Sequence, residues 1–228
     1  MIGEPLDGIH ACVFDAYGTL FDVASATLRC ADELAGMAPQ LSTLWRDKQL
    51  QYTWLRAVQG RHADFWQVTG DALDFALESL GLADPVLRER LMRLYLTLDA
   101  YPGVPEVLQQ LRGAGLATAI LSNGSPAMLT AVVRNAGLVD LLDHVLSVEG
   151  AGVYKPDPRV YQLAVDHLDV PPQEIAFISS NGWDAWAGSA FGMRAIWCNR
   201  RSQIRERLPG APDREIRSLA ELPALLAR

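Results

Sequence analysis

The string Asp15-Ala16-Tyr17-Gly18-Thr19-Leu20-Phe21 follows an apolar run, Ile9, Ala11, Cys12, Val13 and Phe14. An acid at the end of such a run is held in place and partly stripped of water. A carboxylate in that state can attack carbon or phosphorus and form a covalent ester. Gly18 lets the loop backbone turn and come close to a substrate. An isolated Asp would more often only cap a loop, so the whole string has to be explained. Two further polar clusters stand in the same kind of place. Ser122-Asn123-Gly124 follows the run Ala117 to Leu121, and Ser179-Ser180-Asn181-Gly182-Trp183-Asp184 follows Ile175 to Ile178. Lys155-Pro156 lies between them. Elsewhere, the stretch from Leu44 to Arg56 puts Leu50 and Trp54 on the helical face of Arg46, at four-residue spacing. An arginine on an apolar and aromatic face suggests a buried cationic pocket. A solvated arginine with its stem on apolar neighbours would carry the same pattern.

The elements that must position these groups read as follows. Strands are expected at Ile9 to Asp15, Ala117 to Leu121, Ile175 to Ile178 and Arg194 to Cys198, each a short apolar run closed by a turn signal. Helices are expected at Pro102 to Arg112, Pro126 to Ala136 and Pro158 to His167. Strand, helix, strand at this spacing means a parallel α/β sheet with both faces covered. Residues 23–98 break the rhythm. Leu41, Trp45, Tyr52 and Leu55, and then Ala72, Phe75, Ala76 and Ser79, recur at helical spacing, which implies about four helices and no strand. The expected division is therefore an α/β core, residues 1–21 and 99–228, and a helical insertion, residues 22–98, placed after the first strand. Ligands of an open parallel sheet sit outside the carboxyl ends of its strands. Asp15, Thr19, Ser122, Asn123, Ser179 and Asn181 all fall on that rim. The insertion leaves the sheet at the same rim, where it could act as a lid.

Composition sets the outer limits. The chain of 228 residues can bury a sizeable core, and 50% hydrophobic with 21% charged residues is ordinary for a globular protein. A net charge of −7 argues against a sequence-independent grip on nucleic acid. It leaves room for an anionic small molecule in a locally cationic pocket. No apolar run approaches the roughly 20 residues of a membrane span. The first ten residues lack the basic start and apolar stretch of a secretory signal. Cys12, Cys30 and Cys198 show neither metal-ligand nor redox spacing, so reduced, buried thiols and a cytoplasmic location are expected. His10, His62, His144 and His167 are scattered, and none reads as a metal ligand or general base.

The string from Asp15 resembles the first motif of the haloacid dehalogenase superfamily. Ser122-Asn123-Gly124, Lys155-Pro156 and the run Ser179 to Asp184 resemble its second, third and fourth motifs. The resemblance covers nearly the whole chain, in order, and implies a Rossmann-like sheet with a helical cap domain. Departures within it matter more than matches. Phosphatases of the superfamily carry a second Asp in the first motif that protonates a leaving alcohol; here that position is Tyr17. They also carry an acidic pair in the fourth motif that helps bind Mg²⁺; here the first acid's place is Ser179 or Ser180, and Asp184 is the acid that remains. Both changes damage phosphoryl transfer. Neither damages displacement of halide from carbon, because halide leaves as a stable anion.

The stretch around Arg46 resembles the cap helix of the L-2-haloacid dehalogenases, whose arginine receives the departing halide. That resemblance implies hydrolysis of short L-2-haloalkanoic acids to D-2-hydroxy acids and halide, with no metal or cofactor. Asp15 would attack C2, and water would then cleave the ester. By position, Lys155 would keep Asp15 ionised. Thr19 and Ser179 would hydrogen-bond and orient it. Ser122 and the loop amides near Ala16 and Tyr17 would hold the substrate carboxylate. Asn123 would join Arg46 around the halide, and Asp184 with Asn181 would position water. Tyr17, Phe65 and Trp183 would form apolar walls, and Tyr161 matches an active-site tyrosine of the family. The resemblance also implies a homodimer through cap helices. Two rivals remain on sequence grounds: a phosphatase-type hydrolase of the same superfamily, and a binding module that kept only the fold. The retained Asp15, Thr19, Lys155 and Asp184 oppose the second.

Overall fold

A computed structural model describes residues 4–226. Strand β1 (Ala11–Phe14) is buried along its whole length, and it lies in the middle of a six-stranded sheet. β2 (Ala117–Ser122) and β3 (His144–Ser147) lie on one side of it. β4 (Ile175–Ser179), β5 (Arg194–Cys198) and β6 (Arg214–Ile216) lie on the other. The order is β3-β2-β1-β4-β5-β6, with every pair parallel. Phe14 stands opposite both Ile120 and Ile178. The chain thus builds outward from β1 through β2 to β3 and then returns to β4 on the opposite flank. The crevice between β1 and β4, at their carboxyl ends, is the switch point where such sheets bind ligands.

Four helices lie between Phe21 and Ala100: α1 (Ser25–Leu28), α2 (Ala38–Gln59), α3 (Phe65–Ser79) and α4 (Pro85–Tyr95). α2 ends at Gly60 in a left-handed conformation, φ 63°, which an L side chain rarely adopts. Asp64 then caps α3 by accepting from the amides of Trp66 and Gln67, and Asp84 caps α4. Such caps stabilise by about 1 kcal/mol each. The chain leaves the sheet at Phe21 and comes back beside itself at Ala100 through an antiparallel bridge. The amide of Asp22 donates to Asp99 O at 2.8 Å, and that of Tyr101 to Leu20 O at 2.9 Å. The helices after that return are α5 (Val104–Gly113), α6 (Pro126–Asn135), α7 (Pro158–Leu168), α8 (Gly182–Phe191) and α9 (Leu222–Leu225).

Three details depart from the sequence reading. β3 and β6, of 4 and 3 residues, were not foreseen, because short half-exposed edge strands carry too little alternation to register. α5 begins at Val104, not Pro102, because Gly103 at φ 82° precedes it in a left-handed turn. The buried face of α2 is Leu41, Trp45, Gln49 and Thr53, while Leu55 is 49% exposed. Two polar residues hold places that hydrophobicity assigned to Tyr52 and Leu55. They can be buried because Gln49 Nε2 donates to Thr69 Oγ1 and Thr53 Oγ1 donates to Leu50 O, at 2.7 Å each. No helix among the described residues is long and apolar enough to cross a membrane.

Candidate active site

Asp15 follows β1 directly, and its amide is tied to Ile178 O of β4 at 2.9 Å. The side chain reaches into the switch-point crevice and is 6% exposed. Its Oδ2 accepts from Asn181 Nδ2 at 2.7 Å and from Thr19 Oγ1 at 3.1 Å. Its Oδ1 lies 3.4 Å from Lys155 Nζ. Gly18 makes this cluster possible: its φ of 92° folds the loop back, so that Thr19 points at Asp15 four residues behind it. Thr19 Oγ1 also accepts from the Ser180 amide at 2.8 Å, which ties the β1 loop to the β4 loop.

Lys155 is 1% exposed, so its charge has to be satisfied locally. Its ammonium bridges Asp15 and Asp184, with Asp184 Oδ2 at 2.9 Å. Asn123 Oδ1 accepts from the Lys155 backbone amide at 3.1 Å and so fixes the loop that delivers the lysine. Asp184, on the first turn of α8, is wholly buried, and its Oδ1 accepts from the Tyr161 hydroxyl at 2.7 Å. Burial raises the Asp184 pKa above the usual carboxylate value, Lys155 pulls it back, and Asp15 adds to the rise. Burial, with Asp184 alongside, likewise pushes the Tyr161 phenol far above its ordinary value, so it stays a donor.

Arg46 reaches this cluster from α2. Its Nη2 donates to Tyr17 O at 3.0 Å and lies 3.5 Å from Asn181 Oδ1, and its Nη1 donates to Gln49 Oε1 at 2.7 Å. Phe65 and Tyr95 wall the same side, with ring centroids 5.8 and 5.4 Å from that of Tyr17. The Tyr17 hydroxyl is buried and has no hydrogen-bond partner. Gly124 leaves room for that ring: a Cβ there would sit 2.7 Å from Tyr17 Cε2.

The structure therefore brings Asp15, Thr19, Arg46, Lys155, Asn181, Asp184, Tyr161, Tyr17 and Phe65 together, with Ala16 in the same loop. Some expected roles change. Ser179 Oγ accepts from the Asn181 amide at 3.1 Å, and it is Asn181 that reaches Asp15; the expected bond from Ser179 to the carboxylate gives way to a bond that shapes the loop. Ser122 is wholly buried and its Oγ accepts from the Gly124 amide at 3.1 Å. Trp183 packs edge-on against Trp54 at 5.4 Å and, together with Tyr161 of the cluster, lines an apolar groove of about 890 Å³ between α2, α7 and α8. Among the described residues no group of three or more His, Cys, Asp or Glu could hold a metal ion.

Sequence reasoning missed Gln49, Tyr95 and Arg200. Arg200 follows β5, donates to Gly18 O at 3.2 Å, Ser180 Oγ at 2.6 Å and Thr19 O at 2.8 Å, and stacks on Tyr101 at 4.0 Å. It stands just past a strand's carboxyl end, which is the same signal that pointed to Asp15. Gln49 and Tyr95 gave no signal, because a buried glutamine on a helix declares itself only through its partners.

The family model described as haloacid dehalogenase-like hydrolase matches residues 9–192. (S)-2-haloacid dehalogenase 1 of Pseudomonas sp. strain CBS-3 is 50% identical over 225 residues, covering 98% of this chain and 99% of the relative. (S)-2-haloacid dehalogenase 4A of Burkholderia cepacia is 46% identical, with 98% and 97% covered. Among solved structures, L-2-haloacid dehalogenase from Xanthobacter autotrophicus with chloropropionic acid covalently bound superposes with a TM-score of 0.89. It is 40% identical, with 95% of this chain and 98% of that one covered. The chain belongs to the haloacid dehalogenase-like hydrolases and, within them, to the (S)-2-haloacid dehalogenases.

Proposed function

We propose that the chain hydrolyses short-chain L-2-haloalkanoic acids to D-2-hydroxy acids and halide through an ester on Asp15. The observation that carries this reading is the setting of Asp15. Its two carboxylate oxygens are held by Thr19, Asn181 and Lys155, and the Arg46 guanidinium stands across the loop from them. Attack on C2 from behind the carbon–halogen bond inverts that carbon once. Water then adds at the Asp15 carbonyl, the acyl–oxygen bond breaks, and the product keeps the inverted centre.

In this reading Lys155 preserves the anionic nucleophile and Thr19 and Asn181 aim it. Arg46, joined by Asn123, receives the halide. Ser122 and the amides of Ala16 and Tyr17 take the substrate carboxylate. Asp184, hydrogen-bonded through Lys155 and Tyr161, helps recruit the water together with Asn181. The aromatic walls of Tyr17 and Phe65 exclude bulk water, which strengthens the charge interactions of the displacement. A phosphatase reading finds less support. The place of its second acid is taken by Tyr17, whose ring stacks on Tyr95.

The same proposal takes residues 22–98 as a cap that closes over the rim, and the chain as a cytoplasmic homodimer that pairs through helices of the cap. Trp54, Leu55 and Val58 of α2 are 36%, 49% and 88% exposed, which supports a covered face there. Light scattering of wild type and Val58→Asp tests the dimer. The reaction is tested by halide release from L-2-chloropropionate and its D enantiomer, with EDTA present, for wild type and Asp15→Asn. L-selective release that collapses in the variant supports the reading; no release from either enantiomer by folded protein refutes it.

A further inference from the structure

Gln49 is a wholly buried amide on the face that α2 turns toward α3. Both of its ends are committed. Oε1 accepts from Arg46 Nη1 at 2.7 Å and from the Tyr95 hydroxyl at 3.1 Å, and Nε2 donates to Thr69 Oγ1 at 2.7 Å. The orientation of the amide follows from its neighbours. The one proton of the Thr69 hydroxyl goes to Phe65 O at 2.6 Å, so toward Gln49 that hydroxyl can only accept. The nitrogen must therefore face Thr69, and the oxygen must face Arg46. Thr69 is anchored in turn, its carbonyl accepting from Trp45 Nε1 at 2.9 Å.

All three groups that hold Arg46 are neutral: Gln49 Oε1, Tyr17 O and Asn181 Oδ1. A carboxylate at position 49 would hold the guanidinium as well and cancel its charge. A neutral amide fixes the direction of the group and leaves the charge available to an arriving anion. A guanidinium has five N–H donors, so these contacts do not exhaust it.

We propose that Gln49 is a positioning residue for the leaving halide: with Tyr95 and Thr69 it aims Arg46 without neutralising it. This rests on the reading that Arg46 receives the halide. The role differs from support of the fold, because it predicts an effect on halide that is separable from the effect on the carboxylate product. In the test, bromide and D-lactate are each measured as inhibitors of L-2-chloropropionate turnover, for wild type, Gln49→Glu, Gln49→Leu, Tyr95→Phe and Arg46→Gln. Turnover of L-2-bromopropionate is compared with that of the chloro acid, and melting is recorded for each protein.

Gln49→Glu is expected to raise the bromide inhibition constant by about tenfold, the scale of a hydrogen bond to a charged group, and to leave the D-lactate constant unchanged. It should also widen the advantage of bromide over chloride, because the poorer leaving group depends more on the aimed cation. If Gln49→Glu or Gln49→Leu does not fold, Tyr95→Phe carries the test, with a smaller rise in the bromide constant alone. Bromide and D-lactate constants that move together, or that both stay at wild-type values in the position-49 variants and in Tyr95→Phe, overturn the proposal. An unchanged bromide constant in Arg46→Gln removes the reading of Arg46 itself. A raised constant there, beside unchanged values in the other variants, removes only the role of Gln49.

Discussion

Replacing Lys155 with Met keeps the length of the side chain and removes the cation between two buried carboxylates. The ammonium lies 3.4 Å from Asp15 and 2.9 Å from Asp184, and the lysine and Asp184 side chains are 1% and 0% exposed. Loss of one partner from a buried pair costs about 3–5 kcal/mol, because the remaining charge is left desolvated. For a chain of this size that corresponds to a fall in Tm of roughly 6–20 °C. The pH dependence has a definite sign. The Asp184 pKa is already raised by burial and by Asp15, and Lys155 is what lowers it. Without the lysine it rises further. A carboxyl whose pKa is raised in the folded state destabilises most when it must be ionised. The gap in Tm between variant and wild type should therefore be smallest near pH 4, close to the ordinary carboxyl value of 3.8, and should widen as pH rises toward 8. Melting by calorimetry at pH 4, 6 and 8, with halide release at pH 8, measures both consequences. A Lys155→Met protein that melts within a degree of wild type at every pH, or that keeps its turnover, would refute the argument that one buried cation sustains both acids.

Arg200→Met removes three hydrogen bonds from the Asp15 and Ser180 loops and should lower kcat by about tenfold or more with little change in KM, checked by steady-state halide release. Gly124→Ala forces a Cβ to 2.7 Å from Tyr17 and 3.0 Å from Leu129; it should cost about 1–3 kcal/mol in urea unfolding and depress turnover as the aromatic wall shifts. Tyr17→Phe deletes a buried hydroxyl that has no partner, so its Tm should hold or rise and its turnover should stay within about threefold of wild type. A drop in Tm would mean that the hydroxyl is satisfied in solution.

Much of the site could be read along the chain because its residues sit at fixed offsets from strand ends. Asp15 and Thr19 surround one glycine, Ser122 and Asn123 close β2, and the run from Ser179 to Asp184 closes β4. A parallel sheet aligns those ends, so residues far apart in number were expected on one rim. The strands themselves declared their burial through continuous apolar composition. The same logic failed at β3 and β6, where the sheet edge is short and half exposed. It also failed on α2, where Gln49 and Thr53 lie buried between apolar neighbours. It overreached at Ser179, which has the right position but whose hydroxyl accepts from the Asn181 amide.

Sequence alone thus determined the class of the fold and pointed to the carboxylate that closes β1 and to the polar residues gathered around it, because motif spacing and strand burial are local properties written into consecutive residues. Tertiary structure decided the rest: that β1 and β4 adjoin at the switch point, that one ammonium is shared by Asp15 and Asp184, that Asn181 and not Ser179 aims the carboxylate, and that Gln49, Tyr95 and Arg200 belong to the site. Each of these is a hydrogen bond or charge contact between groups distant in the chain. The direction of a buried polar side chain is set by whichever partners can satisfy it, and those partners are brought within reach only when the sheet and helices pack.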